Sequence, residues 1–218
     1  MGVIPFYERR TMSENPWLKL LKPSQVPLPE GAAVLWARHA ALVREWNPIY
    51  NLVSARDASL LETVHVPDAV SLAPVVVHLG LAGGRLLDIG PGGGYPALPL
   101  KIALPGLHLT LMERSARKAD FLRRVVALLG LTGVDVLEGE FPHCSDDIAV
   151  DVVTARAVER PEKVHKALSQ WMRPGMVFLC QTTPGRVFSP DLFHVEQIED
   201  AWTRSGARRG ELIIIRRK

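Results

Sequence analysis

From Arg85 onward the chain alternates two kinds of segment. Apolar runs, RLLDI, LHLTLME, GVDVLEG, AVDVVTA and GMVFLC, are separated by helix-like stretches, YPALPLKIAL, SARKADFLRRVVALLG and RPEKVHKALSQWM. A strand with one wet face alternates apolar and polar residues, whereas a near-continuous apolar run has both faces covered, as in a parallel sheet sandwiched between helices. The pattern predicts a doubly wound, mostly parallel α/β sheet. Its end reads differently: HVEQIEDAW, a turn at RSGARRG, and ELIIIRRK predict two antiparallel strands joined by a hairpin-like connection at the sheet edge. QTTPGRVFSPD reads as a loop.

Before Arg85 the chain reads as helical. Val34, Leu35, His39, Leu42, Val43 and Trp46 recur three or four apart, and Pro48 is expected to end that helix. A second helix is expected from Asp57 as cap through ASLLETVHV, interrupted by Pro67, and a third from Asp68 to Leu79, before the Gly80–Gly84 turn. Residues 1–82 therefore form a helical N-terminal extension, and 83–218 the ligand-binding sheet domain. Trp17, Trp36, Trp46, Trp171 and Trp202 are scattered, which favours packing over a stacking platform.

With 218 residues, 47% of them hydrophobic and 22% charged, one main domain with a sizeable core is expected. Cys144 and Cys180 fit neither a disulfide framework nor a paired metal motif, so both are expected to be small buried apolar residues in a cytoplasmic protein. The opening MGVIPFYERRTM carries no export or lipidation pattern. The longest apolar stretch, Val70 to Ala82, contains Pro74 and His78 and is short for a membrane span, so a soluble chain is expected. A net charge of +3 is weak evidence by itself; the cations gather in Arg114–Arg124, Arg204–Gly210 and the closing RRK, as solvated faces or as phosphate contacts.

The segment LLDIGPGG, Leu86 to Gly93, followed by Gly94, stands where a doubly wound sheet binds its ligand. Two ligand classes compete. Gly92, Gly94 and Ala97 satisfy the dinucleotide pattern G-x-G-x-x-A, and Glu113 follows Gly92 by 21 residues, where a ribose-binding acid belongs. Against a pyrophosphate stand the negative charge of Asp88 and the prolines Pro96 and Pro99 in the next helix. S-adenosylmethionine is phosphate-free and cationic at its sulfonium and amino groups, so Asp88 suits it by field or through water, and Glu113 can accept from both ribose hydroxyls. Each acid also has a local alternative, Asp88 as a helix cap and Glu113 as a first-turn acid. Tyr95 either packs or closes over the ligand.

In order along the chain, EWNPIYNLVSARD (Glu45–Asp57), HVPDAV (His65–Val70), LLDIGPGGGYPALPLKIALPG (Leu86–Gly106), ERSARKADFLRRV and VVTARAV (Val152–Val158) resemble the RsmG family, formerly called glucose-inhibited division protein B. The resemblance implies a class I methyltransferase fold, Rossmann-like, that moves a methyl group from S-adenosylmethionine to N7 of a guanine in small-subunit (16S) ribosomal RNA. It implies that Gly90 and Tyr95 belong to the cofactor turn, that the Phe141 and Pro142 backbone meets the adenine, and that Arg156 borders cofactor and target. Three departures stand out. Ala69 replaces the serine of H-x-x-D-S-L, Gln181-Thr182 replaces a lysine-glycine pair, and Phe141-Pro142 replaces a pair that more often ends in an acid. The lost lysine leaves another RNA or a small molecule as an alternative acceptor.

Guanine N7 carries a lone pair and no proton, so the reaction asks for alignment and no general base. Arg156, beside a purine that becomes cationic, is expected on the cofactor carboxylate or an RNA phosphate. Asn51 is a candidate for a base edge and Tyr50 for stacking, or the two form a helix-ending turn with a core tyrosine. His65 and Asp68, three apart, are expected to pair as a polar clamp, with no third ligand for a metal. Arg117, Lys118, Arg123 and Arg124 are candidates for RNA phosphates. The partner expected is ribosomal RNA or the small subunit, met by a monomer; a nicotinamide-dependent oxidoreductase and a non-enzymatic RNA-binding module are the rivals.

Overall fold

The computed structural model describes residues 16–21, 26–143, 148–156, 160–181 and 187–218. The opening MGVIPFYERRTM, Cys144, Val158 and Thr182 lie outside them. The first long helix, α1 (Ala32–Tyr50), contains Pro48 and is not ended by it. So near a C-terminus the missing N–H forfeits a single bond. The turn is closed by Asn51 at a left-handed φ of 51°. Asn47 Oδ1 accepts from the N–H of Leu52 (2.8 Å) and Val53 (2.9 Å).

Ser54, and not Asp57, caps α2 (Ala55–Ala58), its Oγ accepting from Asp57 N–H at 3.1 Å. A π-helical turn (Leu61–His65) leads into α3 (Val66–Val70), and α4 (Ala73–His78) follows. Pro67 and Pro74 lie in first turns, where a proline costs no hydrogen bond, so they restart helices that the sequence pattern runs together.

Among the described residues seven strands follow: β1 (Arg85–Ile89), β2 (His108–Glu113), β3 (Val134–Glu138), β4 (Val152–Thr154), β5 (Val177–Cys180), β6 (Phe193–Ile198) and β7 (Leu212–Arg217). Helices α5 (Ala97–Ala103), α6 (Ala116–Leu129) and α7 (Pro161–Trp171) follow β1, β2 and β4. The sheet order is β3-β2-β1-β4-β5-β7-β6, parallel through β5, with β7 antiparallel to both β5 and β6. This is the doubly wound sheet with an antiparallel edge expected from the sequence. The two edge strands are not joined by a tight hairpin: α8 (Ala201–Arg204), capped by Asp200, lies between them and buries Trp202.

Successive strand residues face opposite layers. Leu86, Leu109, Leu111, Val152 and Ile214 meet α5, α6 and the N-terminal helices, in one core with Trp36, Val43, Leu61 and Val70. Leu87, Ile89, Met112, Val153 and Phe178 meet Leu168 of α7 on the other face. Trp17 contacts Trp36 (5.4 Å between rings) and Trp202 (6.1 Å), and Trp36 donates to Pro99 O at 3.0 Å. Cys180 is fully buried. Among the described residues no helix is long and apolar enough to cross a membrane.

Two buried polar side chains fix this frame. Arg208, with no exposed side-chain surface, donates to Ser71 Oγ and Ser71 O, both at 3.0 Å, and to both oxygens of Asp200, at 2.9 Å. Asp88, fully buried at the β1 end, accepts from Thr154 Oγ1 at 2.8 Å, tying β1 to β4. Burial pushes its carboxyl up to about 8, opposed chiefly by the Thr154 hydrogen bond.

Removing one partner of a buried ion pair leaves the other charge poorly solvated, so Arg208→Ala is expected to lower unfolding free energy by about 3 kcal/mol. Urea unfolding would show it as a lower midpoint at unchanged slope. The Asp88 carboxyl, raised from 3.8 to about 8, contributes stability that is fully present below the lower value and lost as pH rises through the upper. Asp88→Asn cannot ionise, so its melting temperature is expected to gain on the natural chain steadily from pH 5 to pH 8. A parallel pair of curves would show that Asp88 does not titrate in that range.

Candidate active site

The carboxyl ends of β1, β2 and β4 open onto a cleft of about 780 Å³, of a size that holds a nucleoside-sized ligand. Its floor is the glycine turn. Gly90 takes a φ of 68° and Gly92 of 54°, conformations that a side chain would strain. Three N–H groups of this turn are spent internally: Gly90 donates to Met112 O (2.9 Å), Gly92 to Glu113 Oε2 (3.2 Å) and Gly94 to Pro91 O (2.8 Å). Glu113 Oε1 accepts from Ser115 N–H at 3.0 Å, so this carboxylate braces the turn while lining the cleft.

Not every glycine serves the cleft. Gly94 lies off it, and a Cβ there would come within 2.5 Å of Leu98 Cδ1, so this glycine permits close packing of α5. Asp88 also stays beneath the floor, outside the cleft lining, and burial raises its pKa, which favours the neutral carboxyl. The register explains the difference between the two acids. Ile89 pairs with Met112, which sets Glu113 level with Gly90 and leaves Asp88 two residues deeper.

One wall carries Gly139, Glu140, Phe141 and Pro142 after β3, with Phe141 edge-on to Trp171 at 5.2 Å. Tyr95 lines the opposite side, stacked on His39 at 4.7 Å, with the Arg156 guanidinium over its ring at 5.7 Å. His39, pushed down to about 4 by burial, is neutral and donates from Nε2 to Gly93 O at 2.8 Å. Arg156 is ion-paired with Asp68 and donates to His65 Nδ1 at 2.9 Å. His65 and Asp68 therefore form the expected clamp through Arg156 and not by pairing with each other. Arg156 is thus engaged with protein groups while also lining the cleft.

Asn51 is exposed and off the cleft, serving as the end of α1. Tyr50 stacks on Trp46 at 5.6 Å. Arg117 also lies off the cleft, donating to Ile49 O at 2.8 Å, whereas Lys118 lines it. Leu52, Val53, Ser54, Asp57, Arg160, Lys163 and Arg209 also line the cleft, though no sequence motif marks them as ligand contacts. Arg209 lies within the basic RSGARRG cluster, and residues 51–57 belong to the EWNPIYNLVSARD motif, where Asp57 reads as a cap; Arg160 and Lys163 have no local signal. Among the described residues no cluster of His, Cys, Asp or Glu could hold a metal.

The family model described as GidB, rRNA small subunit methyltransferase G, matches residues 35–182. A relative from Stenotrophomonas maltophilia (strain K279a), named "Ribosomal RNA small subunit methyltransferase G", is 37% identical over 143 residues, 66% of this chain and 65% of its own length. One of the same name from Sorangium cellulosum (strain So ce56) is 43% identical over 142 residues, 62% of this chain and 58% of its own. The match thus spans less than two thirds of either relative. The fold is similar to that of an O-methyltransferase from Bacillus cereus solved with SAH (TM-score 0.55, 16% identity, 92% of this chain and 96% of that one). It is equally similar to the O-methyltransferase TomG from Streptomyces achromogenes solved with SAM (TM-score 0.55, 18% identity, 92% and 95%). At such identities the likeness concerns the fold, the Rossmann-like class I architecture of S-adenosylmethionine-dependent methyltransferases. Matched over more than half its length, the chain belongs to the rRNA small subunit methyltransferase G family.

Proposed function

We propose that the chain transfers a methyl group from S-adenosylmethionine to N7 of a guanine in small-subunit ribosomal RNA. The observation that carries this reading is the internal use of the Gly90, Gly92 and Gly94 N–H groups of the glycine turn. A pyrophosphate site leaves such donors free and aimed at the ligand; here they go to Met112 O, Glu113 and Pro91 O. A phosphate-free nucleoside needs none of them. The cleft fits it in other respects: each Glu113 oxygen retains a lone pair for a ribose hydroxyl, and the Phe141–Pro142 backbone offers an edge for an adenine.

When bound, the cofactor supplies an electrophilic methyl on a sulfonium. The protein's residues then have to orient and to exclude water. Gly90, Gly92, Glu113, Phe141 and Pro142 would hold the nucleoside, and Tyr95 would wall the reacting end. Because N7 carries no proton, no side chain has to remove one.

Lys118 on one rim and Arg160 and Lys163 on the other carry no side-chain partner among the described residues. They are suited to RNA phosphates, with the target base splayed into the cleft between them. Gln181 lines the cleft where the family resemblance implies a lysine, which favours another RNA or a small molecule as the second candidate for acceptor. The reading places the protein in the cytoplasm.

Incubation with labelled S-adenosylmethionine and small-subunit RNA from cells lacking the protein is expected to label one guanine at N7. Label only on another RNA or a small molecule would support the second acceptor class, and tight binding of NAD in calorimetry would favour an oxidoreductase. Replacing Lys118 and Lys163 by Gln is expected to raise KM for RNA and leave cofactor affinity unchanged. The slope of log K against log salt would fall by about 0.7 for each phosphate that the variant no longer neutralises. An unchanged slope would remove these lysines from the RNA path.

A further inference from the structure

Five residues lining the cleft form a closed circuit of hydrogen bonds. Asp57 Oδ1 accepts from His65 Nε2 at 3.1 Å and from the Arg209 guanidinium at 3.4 Å. Arg156 donates to His65 Nδ1 at 2.9 Å and to Asp68 Oδ2. Asp68 Oδ1 accepts from the Arg209 backbone N–H at 2.7 Å, which closes the ring. The members come from the N-terminal helices, the end of β4 and the segment before β7.

This circuit dictates the state of the imidazole. A guanidinium has donors only, so the Nδ1 facing Arg156 presents its lone pair, and the single proton of the neutral ring lies on Nε2, aimed at Asp57. A second proton, on Nδ1, would set donor against donor across 2.9 Å and push the Arg156 guanidinium away. We infer that His65 is a positioning residue: held as the neutral Nε2–H tautomer between Asp57 and Arg156, it sets the face that Arg156 presents to the cleft and releases it on protonation.

The groups facing His65 favour that state. Burial, and then the positive charge of Arg156, hold its pKa below the ordinary 6.5, with a smaller contribution from Arg209 and with Asp57 opposing. The Tyr95 ring, 5.7 Å away, adds no charge. Since the folded value is depressed, the neutral circuit is complete above 6.5 and is lost as pH falls through the folded value.

Two measurements on the full chain test this. The first is nitrogen-15 spectroscopy of the histidine rings, with the His65 signal assigned by its loss in His65→Gln. A neutral Nε2–H ring at pH 7 that titrates below its ordinary value is expected; an Nδ1–H tautomer, or titration at or above 6.5, would overturn the inference.

The second compares two variants, checked for folding by thermal unfolding. His65→Asn can keep an acceptor near Nδ1 for Arg156, and His65→Gln can keep a donor near Nε2 for Asp57. Loss of the acceptor is expected to lower kcat/KM about tenfold further than loss of the donor. The acid-side decline of the natural enzyme is expected to vanish in His65→Asn. Equal losses with a persisting acid limb would reduce His65 to packing. This activity arm rests on the methyltransferase reading. If the natural chain binds no S-adenosylmethionine and labels no RNA, that reading fails, and the ring spectra still decide the state of His65.

Discussion

Asp68 is a carboxylate with 2% of its surface exposed, and a charge so placed is tolerated only when its oxygens are met by donors. The donors come from far along the chain. Arg156 arrives from the end of β4, the Arg209 N–H from the connection before β7, and Gln181 reaches the Asp68 carbonyl at 3.4 Å from the end of β5. The same carbonyl accepts from Ser71 Oγ at 2.6 Å, and Ser71 is gripped in turn by Arg208. Satisfying one buried acid therefore joins the N-terminal helices to the parallel sheet and its antiparallel edge, and the cleft occupies the junction.

The two acids near the glycine turn divide their work by depth. Glu113, at the β2 terminus, remains in contact with the cleft and accepts from two N–H groups, so its carboxylate organises the turn from outside. Asp88, sealed below, relates two strand ends through Thr154 and has little ionic character near neutral pH. A turn built this way has few spare donors for an anion, which is a statement about ligand chemistry made by the protein's own hydrogen bonds.

The sheet was legible because continuous apolar runs admit few alternatives, and the floor of the cleft because a glycine turn and its acid form a short local pattern. Gly92, Tyr95 and Glu113 could be located that way, while Gly90, Phe141, Pro142 and Arg156 needed the family resemblance. Side-chain direction depends on register and helix phase, which a sequence pattern carries poorly: Asp88 is sealed beneath the cleft floor, and Arg117 turns off the cleft onto Ile49 O. Partnerships across more than a hundred residues leave no local trace. Asp57 therefore reads as a helix cap and Arg209 as one more surface cation, although the two meet at the lip.

The lip has a consequence for when the site comes into being. Arg209 and Asp68 are separated by 141 positions, and Arg208 and Ser71 by 137. Closing loops of that length carries an entropic cost that precedes any gain from the contact, so such contacts form late. A chain leaving the ribosome can stack its first helices and pair β1 through β5 before the residues ahead of β7 are free to dock. Until they dock, Asp68 and Asp57 lack their Arg209 partners and the rim is unfinished. Completion of the rim thus waits on contacts that span most of the chain.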